Sequence, residues 1–146
     1  MIEDTTKASE VHVATYMYDH QKVHECFLKR LRYRKSRPFT LHVYIDRRQL
    51  KIGTVPKKMR VRMQELKQAG AHVYLCKGRG LDIYHAKGLV IDRRYLYCGS
   101  ANITGASKDN EELPLRCTGD IVGQILGRLA LTRAKWPLWD GNMSSL

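Results

Sequence analysis

The stretch from Tyr84 to Glu112, YHAKGLVIDRRYLYCGSANITGASKDNEE, decides how the rest of the chain is read. It holds His85, Lys87 and Asp92 in the spacing H-x-K-x-x-x-x-D, then Gly99-Ser100-Ala101-Asn102, then Glu112. Residues 84–92 are apolar and rich in Leu, Val and Ile, which predicts a strand. Side chains alternate faces along a strand. His85 and Lys87 are therefore expected to project together, with Leu89 and Ile91 continuing that face and Asp92 on the other. A group able to act as nucleophile or as acid and base then stands beside a fixed positive charge. That pairing suits attack on an anionic phosphate, whose charge the lysine offsets. Tyr95 to Cys98 predicts a second strand, ended by Gly99, which permits a tight turn. The Ser100 hydroxyl, the Asn102 amide and adjacent backbone N–H groups are donors for phosphate oxygens. Glu112 can accept the Nδ1 proton of a histidine and leave Nε2 free to react. These residue types at these spacings point to the catalytic segment of a phosphodiester-cleaving enzyme.

Upstream, predicted strands and helices alternate. Residues 11–18 read as a strand, and Asp19 as a cap for a helix from His20 to Arg34 with Val23, Phe27, Leu28 and Leu31 as its apolar stripe. Lys35 to Pro38 is a turn. Phe39 to Asp46 alternates as a half-buried strand, and Asp46 at its end reads as structural. A basic loop from Arg47 to Pro56 follows, with Arg47 and Arg48 as candidate anion-binding residues. Pro56 opens a helix to about Ala69, striped by Met59, Met63 and Leu66 and capped by Gly70. Ala71 to Cys76 is another strand. Lys77-Gly78-Arg79-Gly80 is a basic glycine loop, either a phosphate clamp through Lys77 and Arg79 or a plain turn.

Downstream, Gly105 to Asp109 is a polar loop, and Glu112 to Thr118 a strand that Pro114 assigns to an edge or a bend. A helix is expected from Ile121 to about Lys135, with the G-x-x-x-G of Gly123 and Gly127 packed closely on the sheet. Trp136 and Trp139 then cover the core or a partner. The alternation predicts an α/β fold, a mixed and mostly parallel β-sheet flanked by helices. Residues 1–139 form one domain and 140–146 a tail.

The chain of 146 residues carries a net charge of +12. Residues 22–67 hold 15 Lys/Arg against 3 Asp/Glu, so the whole excess lies in one third of the chain. Such asymmetry predicts a polyanionic partner, nucleic acid first and an anionic membrane surface second; a basic face kept for solubility is the bland alternative. No apolar run approaches the ~20 residues that span a bilayer. The polar start, MIEDTTKASE, carries no signal peptide, and an intracellular protein, cytoplasmic or nuclear, is expected. Cys26, Cys76, Cys98 and Cys117 lack zinc-site spacing and read as small buried groups, so neither a metal, a disulfide nor any cofactor is expected.

The segment resembles the signature of the phospholipase D superfamily, H-x-K-x-x-x-x-D followed by G-S-x-N. His85, Lys87, Asp92, Gly99, Ser100 and Asn102 occupy its six defining positions, and the likeness is strongest over residues 72–117. The resemblance implies an α/β half-domain and a catalytic set of His85, Lys87, Asn102 and Glu112, with Asp92 supporting the site rather than attacking. Ser100 would support a phosphate oxygen. It also implies that two such motifs meet at one pseudo-twofold site. This chain has a single H-x-K, so the expected unit is a homodimer with a composite site. The expected reaction is metal-independent phosphodiester hydrolysis through a phosphohistidine, most simply by an endonuclease on single-stranded DNA or RNA. A phospholipase or cardiolipin hydrolase acting on anionic phospholipid is the alternative, and a non-catalytic nucleic-acid-binding module the third.

Overall fold

The computed structural model describes residues 2–33, 37–50, 57–77, 84–100, 102–103 and 115–142. Six strands lie in one sheet: β1 (Glu10–Thr15), β2 (Thr40–Asp46), β3 (His72–Cys76), β4 (Lys87–Ile91), β5 (Tyr95–Cys98) and β6 (Leu115–Cys117). Their order is β3-β2-β1-β4-β5-β6. β1 pairs in parallel with β2, and β2 with β3, whereas the β1–β4, β4–β5 and β5–β6 pairs are antiparallel. The sheet is mixed and flanked by helices, as predicted, but the expectation of mostly parallel pairing holds for its first half only. Connection length is the reason. β1, β2 and β3 are joined by the crossover helices α2 (Gln21–Arg32) and α3 (Lys57–Gln68), and parallel strands need such a crossover. β4 and β5 are joined by a tight turn in which Arg94 N–H bonds Ile91 O at 3.0 Å. Asp92 and Arg93 both take positive φ there, 49° and 57°, as a type I′ hairpin requires.

α2 and α3 cover one face of the sheet together with α1 (Ile2–Lys7). The expected stripes are the buried ones, Val23, Phe27, Leu28 and Leu31 on α2 and Met59, Met63 and Leu66 on α3. They pack on Val11, Val13, Leu41, Val43, Val73, Leu89 and Ile91. α3 ends in a Schellman motif, with Gly70 at φ 101° and Ala71 N–H bonded to Leu66 O. The sequence held no expectation of α1. Its acidic first turn (Glu3, Asp4) and basic last turn (Lys7) suit the helix dipole, and Thr5 and Ala8 bury against the core.

The other face carries α4 (Asp120–Lys135). Val122 and Leu129 are its buried residues, and Ile125 and Leu126 are half-buried. Gly123 and Gly127 do not pack on the sheet as expected: a Cβ at either would meet nothing within 4 Å. The larger apolar side chains turn the helix so that its glycines face solvent. The chain then returns to the β3 edge. Trp139 is buried and donates its backbone N–H to Val73 O, and its indole N–H bonds Asn142 O. The four cysteines are free, and only Cys76 is fully buried.

The α4 face also holds a row of imidazoles. His12, His42 and His72 stand opposite one another on β1, β2 and β3. Ring centroids are 4.6 Å apart for His12–His42 and 5.0 Å for His42–His72. Burial holds His12 below the usual histidine range. Burial, with the charges that His12, His72 and Arg133 would add, pushes His42 down to about 3. Burial likewise lowers His24. The unfolded histidines take up protons below about pH 6.5, while the folded ones do not until a lower pH. Stability is therefore lost as pH falls from about 6.5 toward 3 and is indifferent to these groups above about 7. Urea midpoints in EDTA should fall between pH 7.5 and pH 5, and His42→Gln should flatten that dependence.

Candidate active site

Topology brings the signature to one edge of the sheet. The parallel strands β1, β2 and β3 end there, β4 begins there and β5 ends there. The strand order also reverses at this edge: from β1 the chain steps outward to β2 and β3, then returns to place β4 on β1's other side. A crevice outside the strand ends at such a point is where open α/β sheets bind ligands.

Lys87 opens β4 opposite Thr15. Residues 84–86 precede the strand rather than extend it. The Tyr84 N–H is drawn instead to the Asp46 carboxylate, Oδ2 at 2.6 Å, which anchors the residue before His85 to the end of β2. Asp46 is 0% exposed. Its Oδ1 also accepts the Arg48 backbone N–H at 2.8 Å, and the Arg48 side chain bonds both carboxylate oxygens at 3.2 Å. Burial alone would raise the Asp46 carboxyl, but these bonds from Arg48 and Tyr84 hold it below the usual range.

His85 is exposed and Lys87 half-buried. The Lys87 Nζ lies 2.9 Å from His85 Nε2 and 3.2 Å from Nδ1. The Tyr16 ring meets the imidazole edge-on, with centroids 4.8 Å apart and planes at 73°. Tyr16 follows β1 in a bend that Thr15 Oγ1 closes on Met17 O at 2.6 Å. Met17 N–H donates to Asn102 Oδ1 at 3.3 Å. Ile103 O accepts from Asp19 N–H and His20 N–H at 2.8 and 3.1 Å. The chain past Ser100 is thereby stitched to the chain past β1, and His85, Lys87, Tyr16 and Asn102 all stand at this edge of the sheet. Such a set can hold an oxyanion and offer it an imidazole nitrogen.

Ser100 is exposed on the same edge. Arg47 and Arg48 follow β2 and Lys77 follows β3, so all three lie along that edge, with Arg48 bracing Asp46. Arg79 and Glu112 lie outside the described residues. Asp92 is at the far end of β4. Its Oδ1 accepts Ser9 N–H at 2.7 Å, Ser9 Oγ–H at 2.8 Å and Glu10 N–H at 2.9 Å. Burial raises its carboxyl, and the bonds from Glu10 and Ser9 outweigh that and lower it. Tyr16 escaped the sequence reading, which placed it inside a strand over residues 11–18; β1 instead ends at Thr15 and leaves Tyr16 in the bend beyond it.

Three comparisons bear on this arrangement. The family model described as "Cardiolipin synthase, PLD-like domain" matches residues 1–127. Among solved structures, Nuc, a phospholipase D family member from Salmonella typhimurium, superposes with TM-score 0.76 at 15% identity, covering 94% of this chain and 87% of that one. NucT from Helicobacter pylori gives TM-score 0.75 at 18% identity with the same coverages. A phosphatidylserine synthase from Haemophilus influenzae gives 0.70 at 12% identity, covering 99% of this chain and 37% of that one. A search of curated proteins finds no significant match. The fold and the matched length define a phosphodiester-active class of α/β proteins. The chain belongs to the phospholipase D-like family.

Two substitutions separate the anchors. Asp92→Ala removes an acceptor from three donors and places alanine at positive φ, which should lower stability by about 2 kcal/mol. Asp92→Asn keeps an acceptor and tolerates that backbone, and should cost under about 1 kcal/mol. Urea unfolding with unchanged slope checks both. Asp46→Ala leaves the Tyr84 N–H without its acceptor and should cost about 2–4 kcal/mol. Tyr84 should then lose amide-exchange protection, while Asp46→Asn retains most of it.

Proposed function

We propose that the protein is a metal-independent phosphodiesterase that cuts single-stranded DNA or RNA in a composite site formed by two copies of this chain. The carrying observation is the placement of its six histidines. His12, His42 and His72 are stacked under α4. His24 is buried and bonded to the half-exposed Glu65, and His20 Nδ1 caps α2 by accepting the Val23 N–H. His85 is the imidazole offered to the crevice, yet cleavage through a covalent intermediate needs both a nucleophile and an acid. A second chain supplies the other.

In this reading His85 Nε2 of one protomer attacks phosphorus as the bond to the leaving oxygen breaks. The partner's His85 gives that oxygen a proton. The same imidazole then takes a proton from water, whose oxygen displaces the first histidine and frees the phosphate monoester. Lys87 and Asn102 of both chains hold the phosphoryl oxygens, Ser100 supports one of them, and Glu112 fixes the imidazole tautomer. Asp92 holds β4 in register from its far end. The basic residues of α2 and α3, with Arg47 in the 3-10 turn after β2, Lys77 after β3 and Arg79 two positions on in the sequence, draw in the polyanion.

A phospholipase acting on anionic lipid such as cardiolipin is the second reading. It is favoured by the cardiolipin synthase domain that gives the family model its description. Among the described residues no helix is long and apolar enough to cross a membrane.

Single- and double-stranded DNA and RNA and cardiolipin vesicles, each with and without EDTA, decide between substrates. Single-stranded nucleic acid should be cleaved in EDTA, and His85→Ala should abolish cleavage. With wild type and His85→Ala co-refolded at fixed total protein, activity should follow the square of the wild-type fraction. A linear dependence, or loss in EDTA, refutes the composite site or the mechanism respectively. Salt-sensitive binding with no turnover on any substrate would make it a binding module.

A further inference from the structure

We propose that Glu10, His12 and His42 form a site for one divalent transition ion, with zinc the best fit, at the sheet edge opposite the catalytic crevice. The site rests on its own residues and is independent of the reaction assigned above. Glu10 and His12 are two apart on β1, so they share a face, and His42 stands directly opposite His12 on β2. One ligand atom from each lies within 4.8 Å of the others. His12 and His42 are 2% and 8% exposed, while Glu10 is half-buried and leaves a route for the ion.

The surrounding hydroxyls are placed as metal-bound histidines need them. His12 Nδ1 is 3.1 Å from the Tyr44 hydroxyl, and His42 Nδ1 is 3.5 Å from that of Tyr74. A tyrosine oxygen that accepts the Nδ1 proton leaves the Nε2 lone pair for an ion. Without an ion, His12 Nε2–H donates to Glu10 Oε1 at 2.9 Å; an ion would replace that proton, with Nδ1–H then donating to the Tyr44 hydroxyl.

Positive charge opposes the ion from two sides. Arg93 Nη1 lies 4.0 Å from Glu10 Oε2, and Arg133 of α4 acts on both imidazoles. A nitrogen-rich set with one carboxylate still favours zinc, cobalt, nickel or copper over magnesium or calcium. Zinc bonds of about 2.0–2.1 Å require the His42 ring to tilt out of its 13° stack on His12. The second side-chain torsion of histidine is broad enough to allow it. His72 stays outside the set, stacked on His42. An ion here would tie β1 to β2 beside the Asp92 clamp, so its effect is on stability.

Zinc and cobalt are titrated into the EDTA-stripped, buffer-exchanged full chain and followed by calorimetry, the visible cobalt spectrum and thermal unfolding. The expected result is one ion per chain, a tetrahedral cobalt band and a raised Tm. Glu10→Gln and His42→Gln should each weaken binding by about tenfold or more, and His85→Ala should leave it unchanged. Glu10 is partly exposed, so Glu10→Gln keeps the test valid if His42→Gln fails to fold. No saturable binding, or binding that Glu10→Gln leaves intact, overturns the site.

Discussion

Everything at the crevice depends on the antiparallel pairing of β1 with β4. In that register Val11 faces Ile91 and Thr15 faces Lys87. Asp92 pins one end by taking the Ser9 and Glu10 N–H groups, and Asp92 N–H returns a bond to Glu10 O at 2.9 Å. At the other end, Asn102 and Ile103 hold the chain that leaves β1. A slip of one residue would turn Lys87 to the opposite face and bury the wrong side of Leu89 and Ile91. The aspartate of the H-x-K-x-x-x-x-D motif thus anchors the far end of the strand that Lys87 opens.

The same topology aims charge at the site. α2 follows β1 and α3 follows β2, so both helices begin at the crevice edge. Their N-terminal dipole ends point toward it, and their basic side chains belong to the segment that carries the whole net charge. The opposite face of the sheet is built differently. Its row of imidazoles and the stacked Tyr44–Tyr74 pair replace aliphatic packing beneath α4. Burial is tolerable there because the rings remain neutral and find partners.

Legibility in the sequence followed the range of each signal. The stripes of α2 and α3 were readable, because one helix repeats its own pattern and the sheet answers it. The I′ turn was hidden, since Asp92-Arg93 lacks the glycine that usually marks one. The short length of β4 was hidden too, because Tyr84 trades a ladder bond for the side chain of Asp46, distant in sequence. The H-x-K spacing set His85 beside Lys87 in the sequence, whereas the contact of Tyr16 with His85 depends on the pairing of β1 with β4. Glu10, His12 and His42 carry no metal spacing at all: the ligands sit on two strands that a crossover brings side by side.

A composite site built from identical halves faces a symmetry constraint. In the proposed dimer two copies of His85 face one phosphate, yet one must enter as a base and the other as an acid. The same side chain would therefore play two parts, and nothing within one protomer distinguishes them. Lys87 lies 2.9 Å from Nε2 and 3.2 Å from Nδ1 of its own imidazole. In the proposed site that ammonium would be the fixed positive charge beside the entering phosphate. The two sides of a scissile phosphate differ, and that difference would break the symmetry and decide which His85 attacks.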